Sequence, residues 1–352
     1  MAAVMAALLA VLTVDSRADA PDVRAWLERY GHGDFSVTAS FDAVPDYGAF
    51  YESFTKTAPK WIADGPAADR PRRELAAATF ALEAGRANEL RDWKYVQIWM
   101  GLENIYWRSG AKFVEWGCAL LRQRPTPAPI ERVWHLASIA VADRAVDYEF
   151  LVGSPWDGRA NPKDEILHLE HAAKRFPGER RFALNQGIAA EWRLFPLRRT
   201  GQAEAQKIFE TLKDDPEVGP EASVRLGVMA FRSGNVTGAL ALMQSADERT
   251  REPYVAYLAR YFAGQARERL KQLPEAERAY RGALAATPRA QSASFALSAL
   301  LGSQGRRTEA AALIDAALTA NPIAFDPWRA YGEADARFWP VLIAQLHEEI
   351  AK

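Results

Sequence analysis

The side chains best placed to bind a metal in this sequence are two histidines three positions apart. His168 and His171 would lie on one face of a helix, with Glu165 one turn earlier. Histidines at this spacing can hold zinc, because side chains three residues apart in a helix converge. No third ligand is identifiable, so we interpret the group as the polar face of a helix and predict neither a metal nor a cofactor.

Other residues that could do chemistry lack the neighbours that catalysis needs. The sequence has no Gly-rich phosphate loop, no Gly-x-Ser-x-Gly turn and no His-Glu-x-x-His pair. Asp214 and Asp215 are adjacent in sequence and need not converge on one substrate. The single cysteine, Cys118, lies in an apolar stretch without a His or Lys at helical spacing to lower its pKa, which indicates a buried side chain. We therefore predict that the protein is not an enzyme.

Aromatic residues give a separate functional hint. Five tryptophans fall within 42 positions: Trp93, Trp99, Trp107, Trp116 and Trp134. Helices with broad apolar faces bury such residues against their neighbours, and we assign most of the five to a core. The alternative is a pocket lined by the first three, with Glu103 or Glu115 as its acid. That pocket would make the protein a solute-binding protein or a helical enzyme.

Composition narrows the classes of partner. The 352 residues include 44 Lys and Arg against 45 Asp and Glu, a net charge of -1, which argues against nucleic acid or anionic lipid as the main partner. Hydrophobic residues make up 49% of the chain, enough for a sizeable core. No stretch approaches the roughly 20 apolar residues that a membrane span needs.

The first twenty residues resemble a secretory signal. Residues 5–14 form an apolar run, and Ala18-Asp19-Ala20 has the small-x-small form of a signal-peptidase site, although no Lys or Arg precedes the run. We interpret residues 1–20 as a signal peptide of a bacterial protein that is periplasmic or secreted. An ordinary N-terminal helix would instead leave the protein in the cytoplasm.

Helical periodicity dominates the rest of the chain. Apolar residues at three- and four-residue spacing predict helices over 22–30, 47–56 and 74–83, with a loop over the Pro- and Gly-containing residues 59–73. Ser109-Gly110 predicts a helix break. The best alternating run, residues 35–39, is short and isolated, so the sequence predicts an all-α protein.

A 34-residue period appears towards the C-terminus. Ala276, Tyr280, Ala283 and Pro288 are followed 34 positions later by Ala310, Ile314, Ala317 and Pro322. Leu226-Gly227 with Ala239, Met243 and Ala246 repeats the same offsets in weaker form. The pattern resembles the tetratricopeptide repeat, in which small residues let two antiparallel helices approach and a bulky residue packs between them.

This resemblance implies a right-handed α-solenoid of antiparallel helix pairs with a C-terminal capping helix. We divide the chain into the signal (1–20), an aromatic-rich helical region (21–150), the repeats (151–322) and a cap (323–352).

The resemblance also implies a scaffold that binds a protein or peptide along a concave face. The first helix of each unit would supply the contacts, with the candidate residues Asn185, Glu191, Arg225, Arg232, Arg260 and Arg267. Trp93, Trp99 and Trp107 are the candidates for the alternative pocket. The sequence identifies neither the partner nor the oligomeric state.

The predicted signal is testable at the mature N-terminus. We expect mass spectrometry of the protein from a periplasmic or culture fraction to find Pro21 as the first residue. An intact N-terminus on protein confined to the cytoplasm would contradict export.

Overall fold

The computed structural model describes residues 21–96, 107–123, 127–139, 172–191, 198–319, 326–328, 331 and 334–352. Throughout these ranges the regular structure is helical, which confirms the predicted all-α class.

The chain forms two compact units: residues 1–160 together with 338–352, and residues 161–337. The segment predicted as a single cap, 323–352, is thus divided at residue 338. No helix in the described ranges is both long enough and apolar enough to cross a membrane.

The first unit is a helical bundle with an aromatic core. Its helices are α1 (Val23–Gly31), α2 (Tyr47–Asp64), α3 (Arg70–Val96) and α4 (Trp107–Gln123), followed by helical residues 128–139. Two 3₁₀ helices, Phe35–Ala43 and Ala67–Asp69, connect them. Phe54 stacks on Phe80 with 5.7 Å between ring centroids, and Phe113 packs 5.4 Å from Phe54. Large aromatic rings thus hold α2, α3 and α4 together.

Two local predictions in this unit are wrong, because the effect of a proline or a glycine depends on its surroundings and on its place in the helix. Residues 59–73 are mostly helical: α2 continues through Pro59 to bury Trp61 and Ile62, and this burial offsets the one backbone hydrogen bond that proline removes. Ser109-Gly110 does not break a helix, since both residues lie in the first turn of α4. Residues 35–39 belong to a 3₁₀ helix, at whose start the Ser36 amide donates to the Asp34 carboxylate.

Cys118 is buried in α4, as predicted. Its thiol is 1% exposed and belongs to the aromatic core. Burial raises the pKa of the thiol to about 12. The side chain therefore stays protonated at neutral pH and acts as a small apolar group.

The last helix of the described chain, α13 (Trp339–Ala351), belongs to the first unit. Leu346 and Ile350 are buried in its core. The ring of His347 stacks on Phe35 at 3.7 Å, and its Nε2 lies 3.0 Å from the Glu83 carboxylate on α3. The predicted capping helix thus covers α1 and α3.

The second unit consists of helix pairs, which confirms the predicted α-solenoid. In chain order the pairs are α5 (Arg180–Glu191) with α6 (Arg198–Leu212), α7 (Gly219–Arg232) with α8 (Val236–Arg249), α9 (Pro253–Arg269) with α10 (Leu273–Ala286), and α11 (Gln291–Ser303) with α12 (Arg307–Thr319). Within each pair the two helices pack against each other. The second helices of the first three pairs, α6, α8 and α10, also pack against the first helix of the next pair.

A glycine facing a bulky side chain sets the close approach within three pairs. A β-carbon at Gly187, Gly227 or Gly264 would overlap with Phe209, Met243 or Tyr280 respectively. The last two glycines each lie 16 residues before their partner. In the fourth pair Ser298 and Ile314 hold these places. A small residue is therefore required at this position of the first helix, because a bulky side chain of the second helix packs directly against it.

Adding one methyl group at this contact should destabilise the second unit. We expect Gly264→Ala to lower the free energy of unfolding by about 1–3 kcal/mol, because the added β-carbon would overlap with the fully buried ring of Tyr280. Gly302→Ala is the matched control, since nothing lies within 4 Å of an added β-carbon there. Urea unfolding followed by circular dichroism measures both, and equal effects would refute this packing.

Candidate functional site

The first helices of successive pairs share a face on which a later part of the same chain lies. We call this later part the post-repeat segment; its described residues are 326–328, 331 and 334–337. Its side chains contact α5, α7, α9 and α11. The face that the sequence assigns to an external peptide is thus occupied from within the chain.

Arg225 on α7 is the centre of this face. Its guanidinium is 0% exposed and donates to Glu221 at 2.9 Å, to Glu191 at 3.3 Å and to the carbonyl of Tyr331 at 3.0 Å. The guanidinium carbon also lies 4.4 Å from the centroid of the Tyr331 ring. The Tyr331 hydroxyl donates to Glu191 at 2.9 Å. One tyrosine of the post-repeat segment thus joins α5 to α7.

Arg337 and Asp335 attach the end of the segment. Arg337 donates to Glu221 and to Glu252, each at 2.7 Å, and its guanidinium lies over the ring of Tyr254. Asp335 is 1% exposed and accepts from Asn185 at 2.9 Å and from Arg181 at 3.1 Å. Both charged side chains are thus bonded to an opposite charge or to a polar donor, as buried ions require.

Asp326 attaches the start of the segment to the third and fourth pairs. Its carboxylate accepts from the backbone amide of Ser292 at 2.5 Å and from the hydroxyl of Tyr257 at 3.4 Å. Trp328 packs edge-on against Phe262 with 4.9 Å between centroids. Burial, and then the charge of Asp326, raise the pKa of Tyr257, so this tyrosine remains a hydrogen-bond donor.

The charges on this face shift each other's pKa. Burial alone would raise the pKa of Glu221, but Arg337 and Arg225 reverse this effect and hold it well below its ordinary value. Burial likewise acts to lower the pKa of Arg225, but the charge of Glu221 acts in the opposite direction, and the pKa of the guanidinium ends above its ordinary value. The three side chains are therefore all ionised at neutral pH and depend on one another.

Of the six candidate residues in the repeats, three lie beneath the post-repeat segment. Asn185, Glu191 and Arg225 are buried and bonded to it or to each other. Arg232 lies beside them, 3.7 Å from Glu191, with 49% of its side chain exposed. The first three are therefore not accessible to another molecule while the segment is in place.

Arg260 and Arg267 lie on the other side of α9. Tyr254, Tyr257 and Phe262 of this helix face the post-repeat segment, whereas Arg260 bonds to Asp247 at 2.8 Å and to the carbonyl of Gly282 at 3.1 Å. Both arginines line an open cleft of about 390 Å³ between α8 and α10. The cleft is charge-balanced, with three basic and three acidic side chains: Arg260, Arg267, Arg278, Asp247, Glu248 and Glu275.

The alternative pocket lies largely outside the described part of the chain. Trp99 and Glu103 fall there, as do the side chains of Trp93 and Trp107 and the pair His168 and His171. Two other tryptophans are packed as predicted: Trp134 is buried, and Trp116 packs 4.6 Å from Phe54. Among the described side chains, no group of three or more His, Cys, Asp or Glu could hold a metal ion.

The sequence pattern missed the residues that occupy the face. Asp326, Tyr331, Asp335 and Arg337 follow the last repeat, where periodicity suggests only a cap. One signal was present: Arg225 lies between Val224 and Leu226, and a buried arginine requires acids and acceptors from elsewhere in the fold.

Neutralising Glu221 should weaken this face in a pH-dependent way. We expect Glu221→Gln to lower the free energy of unfolding at pH 7 by about 3 kcal/mol, because Arg225 and Arg337 lose a buried counter-charge. The deficit should shrink as the pH falls from about 4.5 towards about 2, where wild-type Glu221 takes up a proton and loses the same stabilisation. Chemical unfolding at several pH values measures this change. Glu210→Gln, at an exposed acid, is the control, and a pH-independent deficit would contradict the assignment.

Comparison with known proteins agrees with the helix pairs. Residues 203–253 and 261–327 match the tetratricopeptide repeat family. No curated protein sequence matches the chain. Among solved structures, the crystal structure of the yeast Tom70 is similar with a TM-score of 0.43 and 13% identity, covering 96% of this chain and 70% of that one. The family match confirms tetratricopeptide repeats at residues 203–253 and 261–327, whereas residues 151–202 of the predicted repeat region lie outside the match.

Proposed function

We propose that this protein is a non-enzymatic scaffold that binds a protein or peptide along the face formed by α5, α7 and α9. Tetratricopeptide repeats are in general protein-interaction scaffolds, and stacked helix pairs create an extended surface for this purpose.

The observation that carries the proposal is that the face already holds a peptide segment. The post-repeat segment lies on it through one tyrosine, two aspartates and one arginine, each bonded to a side chain of α5, α7 or α9. A face that holds these groups can recognise the same groups on a partner. Aromatic residues and arginine are also the residues that most often dominate binding energies at interfaces.

Arg232 is the point from which a partner would enter. Its half-exposed guanidinium adjoins Glu191, so it borders the filled part of the face while remaining in solvent. A partner segment could contact Arg232 first, and then extend or displace the post-repeat segment. On the other side of α9, Arg267 is the corresponding accessible candidate.

We also propose that the scaffold works outside the cytoplasm. The apolar run and the Ala18-Asp19-Ala20 site support export. The near-zero net charge gives no electrostatic reason for nucleic acid or anionic lipid to be the partner.

Site-specific photo-crosslinking in the cells that make the protein tests the scaffold and its face together. A photoreactive phenylalanine analogue would replace Arg232 at the face, Arg267 at the cleft, or Glu210 on the exposed side of α6. We expect a discrete protein adduct at Arg232 and none at Glu210, because only the former borders the face.

Each other pattern of adducts counts against part of the proposal. An adduct at Arg267 alone would move the binding surface to the cleft and refute the face. Absence of protein adducts at all three positions, with correctly folded protein, would refute the scaffold itself.

A further inference from the structure

We propose a second interaction surface on α11 and α12, the last helix pair of the described chain, which accepts one amphipathic helix from a partner protein. The surface consists of Phe295 on α11 and Ile314 and Leu318 on α12, and we call it the terminal patch. It is distinct from the face filled by the post-repeat segment, so its test is independent of the proposed function.

The 34-residue period assigns a counterpart to each residue of the patch. Phe295, Ile314 and Leu318 correspond to Tyr261, Tyr280 and Leu284 of the preceding pair. The rings of Tyr261 and Tyr280 lie 6.2 Å apart, so Phe295 and Ile314 occupy neighbouring places on their own pair. The patch and its counterparts are therefore equivalent positions in one unit of the molecule.

Each residue of the patch is more exposed than its counterpart or, like Ile314 beside Tyr280, less deeply buried. Tyr261 is 8% exposed and Tyr280 is fully buried, whereas Phe295 is 42% and Leu318 is 62% exposed. Leu284 and Ile314 are half-buried. The counterparts belong to, or pack against, a cluster that contains Ala290, Ala293 and Leu297, contributed by α11 and its N-cap residue. Among the described residues, none supplies to the patch the helix that α11 supplies one repeat earlier.

The equivalence with the preceding pair indicates which residues the partner helix should carry. It should carry small and aliphatic residues along one stripe, as α11 does with Ala293, Leu297 and Leu301. Such a stripe lets the backbone approach closely and still buries apolar area, which is the helix-in-groove mode of recognition. The exposed Asp315 on α12, at the place of Arg281 in the preceding pair, favours a basic residue at the edge of the partner helix.

The patch continues an interface that the molecule already uses. α10 packs on α11, and the two pairs are also joined by Arg306 with Glu277 at 2.7 Å. The same stacking, extended by one helix, would bury the exposed side chains of the patch. The geometry therefore favours a helix over an extended peptide at this end of the repeats.

A titration with a helical peptide tests the patch. The probe is a fluorescent peptide with the sequence of residues 289–304, which includes α11 and the basic Arg289, and its binding to the full chain is followed by anisotropy. We expect saturable binding that weakens about tenfold or more in Leu318→Glu. Val341→Glu is the control variant, because Val341 is equally exposed, at 60%, but lies on α13 in the other unit.

A control peptide with Leu297→Ser should bind about tenfold more weakly if the aliphatic stripe makes the contact. Equal binding to wild type and Leu318→Glu, or no binding of the probe, would overturn the proposal. Two further outcomes would also overturn the proposal, because each would show that something other than a partner helix covers the terminal patch. Self-association in sedimentation that Leu318→Glu abolishes would identify a second copy. Protection of Phe295 in hydroxyl-radical footprinting of the monomer would identify this chain's own residues.

Discussion

The second unit depends on the burial of one positive charge. Arg225 has no contact with solvent, and a buried guanidinium is tolerated only when acids and acceptors surround it. Those groups come from three parts of the chain: Glu191 on α5, Glu221 on α7 and the Tyr331 carbonyl of the post-repeat segment. If any one of them is missing, a charge is left without its partner. The first two helix pairs and the post-repeat segment are therefore held in a single arrangement.

The repeat architecture could be predicted because its signals are local and periodic. Ala276, Tyr280 and Ala283 face one way on α10, and the structure buries all three as the 34-residue pattern requires. Pro59 and Ser109-Gly110 misled the prediction because their effect depends on context. A proline within α2 is tolerated when Trp61, two residues later, is buried, and a glycine in the first turn of a helix does not end that helix.

The candidate site was predictable only in part. Asn185, Glu191 and Arg225 do lie on the shared face, because repeat offsets place them on the first helices. Their partners could not be predicted, since Tyr331 lies 106 residues from Arg225 and 140 from Glu191, and no periodicity connects them. Arg260 and Arg267 share a helix with face residues but point to the cleft. Repeat offsets identify the helix, whereas the side of the helix follows from packing.

The place of α13 has a consequence for how the protein is made. Residues 338–352 complete the first unit, yet the ribosome produces them only after all of the second unit. Until then Tyr30 and Glu83 lack His347, and the apolar surface that Leu346 and Ile350 cover is open. The unit that begins first therefore finishes last, and its incomplete core must avoid aggregation throughout synthesis of the repeats.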